Sequence, residues 1–135
     1  MATTTADNAG SLTIGGLQYS PEKIAVLTAV WDATVNPLPN GDTRNLLAIP
    51  ADCIVINTTA EVTTVEGAAD TVDVRLGTTV LINELDLNTL GGTTSATARV
   101  VPSGGEYLNV TTGAAAAAVG AAVVRITVTV VDGRA

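Results

Sequence analysis

The chain of 135 residues has no histidine and no phenylalanine, a single cysteine and a single lysine. Each absence removes a class of function. Without histidine there is no imidazole base, no Ser-His or Cys-His nucleophile pair and no histidine metal ligand. With Cys53 alone, no disulfide forms within the chain. At the start of an apolar stretch, Cys53 reads as a packed small hydrophobe. With Lys23 as the only lysine and five scattered arginines, the chain has no basic footprint to neutralise phosphates. Its formal net charge of −7 sets it against nucleic acid and anionic membrane surfaces. No apolar run approaches the ~20 residues of a spanning helix. The start, MATTTADNAGSLTIGG, lacks the basic and apolar regions of a secretory signal. These features predict a soluble protein made in a cytoplasm, and they make the sequons at Asn57 and Asn109 accidental.

Hydrophobic residues make up 47% of the sequence and aromatics 2%, so Val, Ile, Leu and Ala must fill the core. β-Branched residues suit pleated surfaces. Alternation of period two is plain in several places. Ile54, Ile56, Thr58, Ala60 and Val62 share one face, with Asn57, Thr59, Glu61 and Thr63 on the other. Val72, Val74 and Leu76 alternate with Thr71, Asp73 and Arg75; Val124, Ile126, Val128 and Val130 alternate with Arg125, Thr127 and Thr129. Leu81, Leu85 and Leu87 are in phase over 79–88, and short strands fit 98–101 and 106–112. Residues 23–35 are apolar on both parities, as in a strand buried on both sides. Segments 36–42 and 89–97 read as loops, and GAAAAAV (113–119) as a long turn of small side chains. Residues 46–77 read as two long strands with a tight connection. In the hairpin register this suggests, Glu66 pairs with Asp70, Val62 with Val74 and Glu61 with Arg75.

Seven to nine strands at about ten-residue spacing, with no helical pattern, predict an all-β single-domain antiparallel β-sandwich or jelly roll. Residues 12–135 form that domain. Residues 1–11, polar and without periodicity, form an extended N-terminal arm that gains order against a neighbouring subunit.

Few residues point to chemistry. A Ser20–Lys23 pair has no supporting context. Glu84 and Asp86, and Asp70 and Asp73, are carboxylates two or three apart, suited in principle to a glycosidase or to calcium. No D-x-D-x-D-G loop accompanies them, and a solvated acidic face is the simpler reading. The paired glycines open no phosphate-binding pattern. The sequence therefore predicts no enzyme, no cofactor and no metal. Candidate partner-binding residues are Thr3, Thr4, Thr5, Asp7 and Asn8 in the arm, and Trp31. The last is either an interface anchor or the one large core residue.

The order AVLTAVWDAT, LLAIPADCIVINTTAEVTTVEGAADTVDVRLG, LDLN and EYLNVTTGAAAAAVGAAVVRITVTVVDG resembles a group of small virion proteins of tailed bacteriophages. The matching features are Ile49-Pro50, Val62-Thr63-Thr64, Thr71–Gly77 and the strand within Gly120–Asp132, and the resemblance as a whole covers most of residues 24–133. The chain departs at Arg75-Leu76-Gly77, where the family more often has glycine directly after the valine. The resemblance implies a structural virion protein, made in the bacterial host cytoplasm, that decorates or cements the capsid surface. Its implied partner is the major capsid protein lattice and its implied state a homotrimer. The alternative is a tail or head-fibre module that binds carbohydrate for host attachment.

Overall fold

The computed structural model describes residues 12–14, 17–19, 24–112 and 118–132. They form eleven strands and no helix. These are β1 (Leu12–Ile14), β2 (Leu17–Tyr19), β3 (Ile24–Asp32), β4 (Thr43–Ile49), β5 (Cys53–Thr64) and β6 (Thr71–Leu76). They continue with β7 (Thr79–Asp86), β8 (Gly91–Ser95), β9 (Arg99–Val100), β10 (Glu106–Thr112) and β11 (Val123–Asp132). Among the described residues, strands β1 and β2 pair only with each other. The rest form two antiparallel sheets, β3-β11-β5-β8 with β9 also on β5, and β4-β10-β6-β7.

The topology follows one rule. Take β3, β4, β5, β6, β7, β8, β10 and β11 as first to eighth. The first pairs with the eighth, the second with the seventh, the third with the sixth and the fourth with the fifth, all antiparallel. That is one long ribbon folded across two sheets. The β11–β5 and β10–β6 pairings close each sheet. The result is a jelly roll, in which β-branched strands bury one face each.

The alternation legible in the sequence fills the core. Val62, Val72, Val74, Leu76, Val124, Ile126, Val128 and Val130 are all buried, joined by Leu108 and Val110 from β10. Leu81, Leu85 and Leu87 are buried as their phase predicts. Cys53 is half-buried and packs against the core.

Three expectations are corrected. The stretch 46–77 is not a hairpin. Its first half breaks at Pro50-Ala51-Asp52, where Asp52 has φ 66°, into β4 and β5 of opposite sheets. Strands β5 and β6 also lie in opposite sheets, so residues 65–70 form an arch over the end of the sandwich. Glu61 therefore faces Arg125 on β11 and forms an ion pair with it, and Arg75 pairs with Asn109 and Val80. Alternation sets which face is buried and leaves the neighbour open, so a hairpin and an arch share one pattern. Second, Ile56 is not a core residue. A bulge opposite Thr129/Val130 shifts the phase, so Val55 is buried and Ile56 is exposed. Third, residues 91–95 are a strand, not a loop. Pairing with β5 from Val62–Gly91 to Thr58–Ser95 imposes the extended backbone on a Gly-Gly-Thr-Thr-Ser run of weak propensity. The turn expected over 113–119 lies mostly outside the described residues; Val119 at its end is buried and bridges Leu38.

The inward face of β5, which carries Thr58 in phase with Ala60 and Val62, also places a polar atom in the interior. Thr58 is 1% exposed and its hydroxyl oxygen has no partner. A buried hydroxyl without a hydrogen bond costs stability, and valine has the same shape. Thr58→Val should therefore stabilise the fold by about 1 kcal/mol. A thermal melt should show a midpoint rise of about 4 °C; a fall would mean that the hydroxyl has a partner in solution.

Candidate interaction surface

Strand β3 has two apolar faces with opposite fates. On the inward parity, Ala25, Leu27 and Ala29 pack against the core, and Trp31 is 1% exposed within it. The Trp31 indole Nε1 donates to the Asn36 carbonyl at 2.8 Å. Of the two roles open to Trp31 in the sequence, it fills the core role, and its ring is not presented to a partner. On the outward parity, Ile24, Val26 and Val30 are 57%, 63% and 62% exposed. The strand buried on both sides is therefore an edge strand with one face uncovered. Both faces are apolar in the sequence, and periodicity alone cannot tell core from open surface.

This stripe borders the outward face of the β3-β11-β5-β8 sheet. Opposite Ile24, Val26, Thr28 and Val30 stand Val131, Thr129, Thr127 and Arg125 of β11. Asn57, Thr59 and Glu61 of β5 continue the row, and Thr59 is hydrogen bonded to Thr94 of β8 at 3.1 Å. Arg125 and Glu61 neutralise each other in this face. They are half-exposed, so the pair adds at most ~1 kcal/mol and serves mainly to cancel charge. The outer side of the other sheet is different in kind. Asp73 accepts from the Glu84 amide at 2.7 Å, and Asn109 accepts from Arg75 Nε at 3.3 Å while donating to Gly77 O at 3.0 Å. At the end of the sandwich, Arg99 of β9 grips Glu106 of β10 at 3.1 and 2.7 Å, linking the sheets. That grip raises the Arg99 pKa. Asp73, Glu84 and Glu106 thus belong to the other sheet, away from the aliphatic and Thr-rich face.

The carboxylates singled out in the sequence do not assemble into a centre. Glu84 and Asp86 are exposed, Glu84 at a φ of 53°. Asp86 caps the following turn, accepting from Asn88 N at 2.8 Å and Thr89 Oγ1 at 2.9 Å; these bonds lower its pKa. It borders an open dent of about 200 Å³ with Leu85, Thr89 and Leu90. Asp70 is buried in the arch, apart from that dent. Among the described residues, no three of Cys, Asp and Glu come together as metal ligands. No helix among them is long and apolar enough to cross a membrane. A second open dent, about 230 Å³, lies beside Tyr107, which is 53% exposed, with Ile49, Pro50, Gly104 and Glu106 on its wall. The arm candidates Thr3, Thr4, Thr5, Asp7 and Asn8 lie outside the described residues, as do Ser20 and Lys23.

The chain matches no protein-family model and no curated protein. Its fold has solved counterparts. A chain of the acid-stable capsid structure of Helicobacter pylori bacteriophage KHP30 aligns over 82% of this chain and 88% of its own. It does so at 17% identity with a TM-score of 0.51. A chain of the cyanophage Pam1 capsid asymmetric unit aligns over 97% of this chain and 92% of its own, at 14% identity and a TM-score of 0.49. The first likeness establishes a shared two-sheet fold.

Proposed function

We propose that this chain is a structural virion protein that decorates or cements a bacteriophage capsid. In this reading it binds the lattice of major capsid protein as a homotrimer and acts on no substrate. The observation that carries it is the jelly roll held in common with a chain of a phage capsid, over most of both chains. The surface agrees in kind. A rigid sandwich with one neutral aliphatic face offers area for docking, and an acidic remainder keeps a many-copy protein soluble and off packaged DNA. The residues that make contact are the arm, including Thr3, Thr4, Thr5, Asp7 and Asn8, and the outward face of β3 in place of Trp31.

The test is the copy number of this protein in purified particles, measured by quantitative mass spectrometry against the major capsid protein. A ratio placing it at most lattice points is expected. A handful of copies would move it to a tail or fibre, and absence would end the virion reading. Removal of residues 1–11 should lower particle occupancy while leaving the thermal melt unchanged; full occupancy would take the arm out of the contact. The second reading, a carbohydrate-binding tail or head-fibre module, is favoured by one observation only, the exposed Tyr107 ring beside its dent. A glycan array read with wild type and Tyr107→Ala separates the two.

A further inference from the structure

Among the described residues, strand β3 is an edge that nothing blunts. Its nine residues, IAVLTAVWD, carry no charge before Asp32 and neither proline nor glycine. Its pairing with β11 runs from Ile24–Val131 to Asp32–Val123 without a bulge. Among the described residues no strand pairs with its other side. Proteins guard such edges with lysine, proline, bulges or short strands, because an open regular edge templates another strand. The outward row Ile24, Val26 and Val30 adds an apolar margin along the same edge.

The chain also holds a ribbon that lacks a sheet. Strands β1 and β2, three residues each, pair as Leu12–Tyr19, Thr13–Gln18 and Ile14–Leu17 and with no other described strand. A two-stranded ribbon of this length is marginal in water unless a third strand or a packed face supports it. Its strands, LTI and LQY, carry no charge and match a neutral edge. Four residues of sequence separate it from β3. So short a tether gives the ribbon an effective concentration on the order of millimolar or more at its own β3. Among the described residues the ribbon does not pair with its own β3, which leaves that edge to the ribbon of another chain.

We propose that the β1–β2 ribbon of one copy adds to the β3 edge of a second copy, extending the β3-β11-β5-β8 sheet across the subunit boundary. The contact is heterologous: each copy gives a ribbon and receives one. Such contacts close into rings when the rotation permits, and a ring of three is one such closure. Main-chain hydrogen bonds supply the pairing, and the aliphatic margin is covered with it. The association is a property of the free chain and stands apart from capsid binding. Assembly in solution without particle occupancy, or occupancy by a monomer, distinguishes failure of one from failure of the other.

Light scattering on purified full-length chains tests it. Thr13→Pro with Gln18→Pro removes both central amide donors of the ribbon and spoils the donor. Val26→Lys with Val30→Lys places edge-blocking charges on exposed positions, spoils the acceptor and leaves the core intact. The wild type is expected to assemble and each double variant to run at monomer mass with an unchanged circular dichroism spectrum. Mixed in equal amounts, the two variants should form a species of twice the monomer mass, because each retains the half the other lacks. A monomeric wild type, an assembled ribbon variant, or a mixture that stays monomeric would each overturn the proposal. Assembly of the ribbon variant with loss in the edge variant would mean that two β3 strands pair directly.

Discussion

Trp31→Ala should cost about 3–5 kcal/mol, the range for removing a buried aromatic side chain. A domain of this kind has about 5–15 kcal/mol in all, so the variant should be largely unfolded in moderate urea. The indole is 1% exposed, and the chain has no Phe or second Trp with which to fill the space. It holds the β3–β4 connection through its bond to the Asn36 carbonyl. Two residues on, Leu38 is buried and exchanges two backbone bonds of 2.9 Å with Val119. A cavity at Trp31 therefore also loosens the contact between the β3–β4 and β10–β11 connections. Trp31→Phe keeps most of the ring and loses the donor, and should cost about 1–2 kcal/mol. Because Trp31 is the only tryptophan, its fluorescence reports on this end of the sandwich alone. A native spectrum centred where free indole emits in water would contradict burial. Trp31→Phe should leave particle occupancy unchanged; a large loss would restore the anchor role.

Trp31 also shows where the sequence is informative. Positions that alternate against polar residues were legible, because a period of two with a single apolar face admits one burial: β6 and β11 follow it. Strand β3 is apolar on both parities, and the same pattern serves a central strand or an edge with a bare stripe. What separates them is the neighbour on the far side, which a one-chain pattern does not encode. The Glu61–Arg75 pairing failed for the same reason. Glu61 does meet an arginine, but on β11, sixty-four residues away. Strand β8 had no signal of its own, since its Gly-Gly-Thr-Thr-Ser run has weak strand propensity and is ordered in pairing with β5. The fold class was therefore readable while the pairing was not. The candidate surface emerged only when the two faces of β3 were told apart.

Glu66→Ala should be the largest loss from any surface-proximal change, about 2–4 kcal/mol. Glu66 sits in the arch between β5 and β6. Its carboxylate accepts from Gly120 N at 3.0 Å and from Ala121 N and Ala122 N at 2.8 Å each. One side chain thus ties the arch to the entry of β11, and Ala122 is fully buried where its amide would be left bare. Burial acts to raise the Glu66 pKa, but the three amides outweigh it and the net shift is downward. The stabilisation is then present above the ordinary Glu value of about 4.3. It is lost as the pH falls through the lower folded value. Asp70, at the other end of the arch, has the opposite sign. Burial raises its pKa, the Thr71 amide opposes that, and the Glu66 charge adds to it. Its ionisation works against the fold at neutral pH, and protonation relieves this as the pH falls through its raised value. Asp70→Asn keeps an oxygen for the Thr71 amide and should raise the melting temperature at pH 7, with the gain vanishing in acid. In Glu66→Gln the Asp70 pKa should move back toward its ordinary value, so the benefit of Asp70→Asn should shrink in that background. Strict additivity of the two variants at pH 7 would show that the carboxylates do not sense each other, and that the arch is held by the amide clamp alone.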